Sequence, residues 1–110
     1  LDIYYKTKQL EKTFNKSENL QKEYGQSADK IKQRLSELAA INNLSEIFKH
    51  PSARCHELKG EYKGKFAVDL KHPYRLIFEP YHDPIPTKDD GGIDLVKITT
   101  IRILKIEDYH

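Results

Sequence analysis

Three short clusters hold side chains able to handle a phosphate: Arg54-Cys55-His56-Glu57-Leu58-Lys59-Gly60, His72-Pro73-Tyr74-Arg75 and Asp108-Tyr109-His110. Histidine titrates near neutral pH and can take or give a proton, while lysine and arginine can stabilise the charge that grows on a phosphorane. His56 and Lys59 stand three apart, so a turn before Gly60 can bring imidazole and ammonium round one phosphate. An ordinary solvated pair has the same spacing. Arg75 alternates out of the Tyr74, Leu76, Phe78 row and projects from the opposite strand face, either to grip phosphate oxygens bidentately or to pair with Asp69 or Glu79. Asp108, Tyr109 and His110 follow an apolar strand-like run, which argues for an ordered approach to the sheet edge where Lys59 and Arg75 are expected.

Cys55 beside His56 suggests a thiolate–imidazole dyad, but successive strand residues face opposite ways, so the thiol is expected in the core. The five histidines (His50, His56, His72, His82, His110) show no zinc spacing such as His-Glu-x-x-His, and there is no cysteine pair. Neither a metal nor another cofactor is expected.

The elements that must position these groups follow from periodicity. Leu1, Ile3 and Tyr5 alternate with Asp2 and Tyr4 as in a half-buried strand. Thr7 can cap a helix carrying Leu10 and Phe14, Ser17 can open a second through Leu20 and Tyr24, and Gly25 reads as its stop. Ser27 is placed to cap a third helix with the stripe Ala28, Ile31, Leu35, Leu38. Asn43 with Glu46 forms a capping-box pattern for a short helix closed by His50 before Pro51. Beyond Cys55 the period becomes two: Phe66, Val68, Leu70 alternate with Lys65, Ala67, Asp69, and Tyr74, Leu76, Phe78 with Arg75, Ile77, Glu79. Lys71-His72-Pro73 joins the two runs as a tight hairpin. After a loop from Pro80 to Ile93, a strand is expected from Val96 to Ile106, central because both its faces are apolar, with a bulge or two-sided burial where the apolar parity shifts. The fold class is α+β, a helical layer on an antiparallel-dominated sheet, as one domain over residues 1–110.

Composition agrees with one small domain: 110 residues, 37% hydrophobic and 33% charged, without Met or Trp, leave a small core under a highly charged surface. The net charge of +2 does not by itself name a nucleic-acid partner. Its distribution is uneven: Arg54 to Arg75 holds six basic and three acidic residues, whereas Asp83 to Asp94 holds four Asp and one Lys. Lys6, Lys8, Lys12, Lys16, Lys22, Lys30, Lys32 and Arg34 make the helical layer basic, although interleaved Glu11, Glu18, Glu23 and Asp29 fit an ordinary solvated face. With a single cysteine, no apolar run near ~18 residues and no signal-like segment, a cytoplasmic protein without membrane contact is expected.

Taken together, His56-Glu57-Leu58-Lys59-Gly60, Gly64-Lys65-Phe66, Leu70-x-x-Pro73-Tyr74-Arg75-Leu76-Ile77-Phe78 and Asp108-Tyr109-His110 resemble the HigB branch of the RelE/ParE toxin superfamily over nearly the whole chain. The resemblance implies a type II toxin, a ribosome-dependent endoribonuclease that cuts mRNA in the ribosomal A site and is silenced by a HigA-like antitoxin. It carries catalytic roles to His56, Lys59, Arg75, Tyr109 and His110, with Asp108 as a weaker member; Arg54, Lys65, Lys71 and Asp108 are expected to contact the RNA. RelE itself has lysines in the strand matching Phe66 to Leu70, where this chain has Ala67 and Asp69, which favours a HigB-like use of histidine. Metal-free cleavage by the 2′-hydroxyl needs a proton acceptor, a proton donor and cations, and two His, one Lys and one Arg supply them. Which histidine is the base stays open. Two rivals share the fold: a ParE-like gyrase inhibitor, which has no need of His56 and His110, and a non-catalytic interaction domain.

Overall fold

The computed structural model describes residues 1–108, so Tyr109 and His110 lie outside the described residues. Strand β1 (Asp2–Tyr5) turns Ile3 and Tyr5 inward, and Thr7 then caps helix α1 (Lys8–Asn15), its hydroxyl oxygen accepting from Leu10 N–H at 3.1 Å. Helix α2 (Ser17–Tyr24) ends at Gly25, whose φ of +53° suits a residue without Cβ. Helix α3 (Ala28–Ala40) buries Ala28, Ile31 and Leu38 as the stripe predicts. Ser27 holds the N-cap position of α3, but its side chain makes no capping hydrogen bond. It already lies in a 3₁₀ turn, Gly25–Ser27, with near-helical φ and ψ, and the turn's Gly25 carbonyl accepts from Ala28 N–H, so α3 grows out of preformed turns. The capping box is present: Asn43 Oδ1 accepts from Ser45 N–H at 3.1 Å and Glu46 Oε2 from Asn43 N–H at 3.2 Å, opening the 3₁₀ turn Leu44–Lys49.

Strands β2 (His56–Glu57), β3 (Phe66–Asp69), β4 (Tyr74–Pro80) and β5 (Thr100–Asp108) complete a five-stranded sheet in the order β1-β5-β4-β3-β2. Among the described residues only the β1–β5 pair is parallel. One face of the sheet packs on the helices: Phe66, Val68, Leu76, Phe78, Ile101 and Ile103 meet Phe14, Leu20, Ile31, Leu38 and Ile47 in the main core.

The last strand differs from expectation at its start. It runs Thr100–Asp108 rather than Val96 to Ile106, because Leu95–Lys97 is a 3₁₀ turn and Ile98 O is taken by Leu44 N–H at 2.9 Å. Val96 is accordingly 64% exposed. β5 is interior, between β1 and β4, while β4 is the middle strand. The parity shift is a bulge: Ile77 opposes Lys105 but Phe78 opposes Ile103, which leaves Leu104 as the extra residue and returns Ile106 to the helix-facing side.

The other face is also covered in part: Ala67 and Ile77, which alternate with the inward rows, are fully buried, since Leu58, Tyr62 and Leu104 form a small apolar island over them. One further expectation is corrected. Arg34, counted with the basic helical surface, is only 3% exposed: Nε donates to Asp69 O and Nη2 to Ser52 O, both at 2.7 Å, and Nη1 pairs with Glu37 at 3.0 Å. It ties α3 to the end of β3 and to the segment entering β2. Among the described residues no helix is long and apolar enough to cross a membrane.

Candidate functional site

A cleft of about 350 Å³ opens where β3 ends and β4 begins, lined by Arg54, His56, Asp69, His72, Tyr74 and Arg75 among others. Pairing builds it. His56 opposes Ala67, and Asp69 opposes Arg75, so these side chains share the sheet face away from the helices. His56 is exposed, and its Nδ1 lies 3.0 Å from Arg54 O. A carbonyl can only accept, so Nδ1 carries the proton and, in the neutral ring, Nε2 is the basic nitrogen. Arg54 adopts a left-handed conformation with φ of +47°, uncommon for a residue with a Cβ, and its Nε sits 3.4 Å from Asp69 Oδ2.

Arg75 lines the cleft but is only 11% exposed. Its Nε and Nη2 donate to Glu107 Oε2 at 2.9 and 2.6 Å, so among the described residues it pairs with a carboxylate on β5 rather than with the Asp69 or Glu79 that the sequence offered. Glu79 is taken by Arg102 instead, at 2.8 and 2.5 Å. The other Glu107 oxygen accepts from Tyr62 OH at 3.3 Å and meets Lys105 Nζ at 3.3 Å, and Lys105 Nζ donates to Tyr62 OH at 2.5 Å. The Arg75 guanidinium, with help from Lys105, holds the Glu107 carboxyl below the usual carboxylate range. The Tyr62 hydroxyl, then Glu107, holds the Lys105 ammonium above its usual range.

Lys59 does not line the cleft with His56; it borders a separate recess with Glu57, Leu58, Gly60 and Lys63, where Gly60 at φ +66° lets the chain turn. Lys71 donates to Gln26 Oε1 at 2.9 Å, and Lys65 is half-buried at the start of β3. Asp108, exposed at the end of β5, opposes Tyr74. Cys55 is partly buried against the main core, and burial pushes its thiol up to about 12, which leaves no thiolate near neutral pH. Two residues of the network, Tyr62 and Glu107, carried no signal in the sequence beyond their types.

A cleft rimmed by histidine, arginine and tyrosine at the end of a helix-backed sheet suits a phosphodiester. A family model described as the RelE-like toxin of the type II toxin-antitoxin system HigB matches residues 3–87. The chain belongs to this HigB-like toxin family. It is therefore a type II toxin of the RelE-like kind, and such a toxin has an antitoxin partner. The matched span takes in His56, Lys59 and Arg75 and ends before β5, so Asp108, Tyr109 and His110 lie beyond it. No curated protein matches the chain. Among solved structures, the YoeB/ParE toxin from Agrobacterium tumefaciens aligns over 100% of both chains with a TM-score of 0.55 at 9% identity, a likeness of fold alone.

Proposed function

We propose that this HigB-like toxin is a ribosome-dependent mRNA endoribonuclease, acting in the cytoplasm on mRNA in the ribosomal A site and held inactive by a HigA-like antitoxin. The observation that carries the reading is the convergence of His56, Tyr74 and Arg75 on one cleft, with the His56 tautomer set so that Nε2 is basic. In metal-independent cleavage, His56 Nε2 takes the 2′-hydroxyl proton and the 2′-oxygen attacks phosphorus. Arg75 stabilises the phosphorane, and His110 returns a proton to the departing 5′-oxygen; Lys59, which borders the separate recess and not this cleft, holds the RNA backbone that runs past it. Tyr109, with an unperturbed pKa near ~10, is a poor base and serves to stack on a base or orient it. Arg54, Lys65, Lys71 and Asp108 contact the RNA around the cleft. The Arg54–Asp69 and Lys71–Gln26 contacts are exposed enough to exchange for phosphate at little cost.

The test is purified protein mixed with ribosomes that carry a defined mRNA. Cleavage confined to the A-site codon, falling by about 10² to 10⁴ in His56→Ala, is expected. Arrest of DNA synthesis ahead of translation on induction in bacteria, with mRNA intact, would place the activity at gyrase and overturn the reading.

A further inference from the structure

The three chemistry-bearing clusters lie apart in sequence, yet one carboxylate touches an element of each. Glu107 stands directly opposite Arg75 in the β4–β5 register and takes two of its guanidinium N–H groups on a single oxygen. Its second oxygen accepts from Tyr62, the last residue of the 3₁₀ turn Gly60–Tyr62, which Lys59 immediately precedes. Glu107 also immediately precedes Asp108 in β5. The cluster is tight and shielded, with Arg75 11% and Glu107 23% exposed. The extended stem of an arginine leaves its planar fork free to swing unless a partner fixes it, and a carboxylate on the next strand fixes both its direction and its tilt.

We propose that Glu107 is a positioning residue for RNA cleavage: it sets the Arg75 guanidinium at the rim of the cleft and, through Tyr62, locks the turn that follows Lys59 to the same point. The inference rests on the ribonuclease reading above. Glu107 does not touch the substrate, and it acts through Arg75. Lys105 lies 3.3 Å from the second oxygen, so one carboxylate is shared between two cations and the group of Arg75, Lys105 and Glu107 keeps a net positive charge to offer a phosphate. A competing role is also physically sensible, in which Glu107 occupies Arg75 and must be displaced by the scissile phosphate. The tight geometry and the tie to Tyr62 favour positioning, because a carboxylate meant to be displaced gains nothing from a second anchor.

The experiment measures single-turnover cleavage of ribosome-bound mRNA by wild type, Glu107→Gln, Arg75→Ala and the double variant, with thermal melts of each. Glu107→Gln keeps the side chain's shape and so preserves folding better than Glu107→Ala, and Glu107→Asp tests rescue by charge. The expected result is a fall in the cleavage rate of about 10- to 100-fold for Glu107→Gln, with the half-saturating toxin concentration within about threefold of wild type. In the Arg75→Ala background the same substitution should cost less than about twofold, because the group it positions is gone. Cleavage by Glu107→Gln at or above the wild-type rate overturns the proposal, as does a loss that multiplies with that of Arg75→Ala. A wild-type protein that cuts no ribosome-bound mRNA overturns the nuclease reading first and this inference with it.

Discussion

Leu76 and Ile77 are neighbours in β4, both fully buried, and they live in different surroundings. Leu76 joins the main core, where helices α1 to α3 close over the sheet; Ile77 sits on the other face with Ala67, under an island of Leu58, Tyr62 and Leu104. Around that island the outer face is ionic: Arg75 and Lys105 with Glu107, and Arg102 with Glu79. The helix-facing side supplies the burial that holds the strands together, roughly 25 cal/mol per Å² of apolar surface removed from water. The outer side buries only what is needed to keep water from beneath the ion pairs, and it uses strand register to aim charged groups. A sheet backed on one side can thus present a charged, solvent-facing site without unravelling, because its stability and its chemistry depend on alternate residues of the same strands.

The sharpest way to break this contrast is to truncate the neighbouring pair. Leu76→Ala is expected to destabilise by the upper part of the about 2–5 kcal/mol range for buried large-to-small changes, since a helix-backed core cannot collapse onto the gap. Ile77→Ala should fall at the lower end of about 2–5 kcal/mol, because the thin island can relax and admit solvent. Equal losses in urea unfolding would mean that the two faces contribute alike. Arg34 is the polar group that spans α3 and the sheet, and Arg34→Met removes bonds to Asp69 O and Ser52 O while keeping much of the volume. A loss of about 1–3 kcal/mol is expected in the same unfolding assay, and a neutral result would show that these carbonyls find water instead.

The smallest effect concerns pH. Arg75 holds the folded-state Glu107 carboxyl below its usual range, so the stabilisation from this pair is complete above the unfolded carboxylate pKa, near ~4.3, and is lost as pH falls through the lower folded value. Wild type should therefore lose stability relative to Glu107→Gln as pH is taken down from about 5. Parallel stability curves for the two proteins across that window would show that the ion pair contributes nothing to the fold.

Much of the fold was legible from local pattern, because helices and strands declare themselves by period and by their caps. Thr7, Gly25 and the Asn43–Glu46 box act at their own positions, and Ile3, Tyr5, Phe66, Val68, Tyr74 and Leu76 face inward as their alternation requires. The shift in parity along the last strand was visible too, in Ile101 and Ile103 giving way to Leu104 and Ile106. Local pattern falls short where tertiary neighbours supply what a residue lacks: Ser27 stands at the N-cap of α3 but needs no side-chain bond after a preformed turn, and the burial of Ala67 and Ile77 comes from an island assembled from residues 58, 62 and 104. The histidine, lysine and arginine of the candidate site are evident from composition and resemblance, and His56 and Arg75 do meet at one cleft. The partner of Arg75 is another matter. Continuing the Phe78–Ile103 pairing without interruption would set Arg75 against Ile106; the extra residue at Leu104 advances the register by one and brings Glu107 there instead. A bulge can be inferred from parity, but where it falls against the partner strand depends on how the pair packs between the core and the island, so the carboxylate that holds Arg75 becomes apparent only once the sheet is assembled.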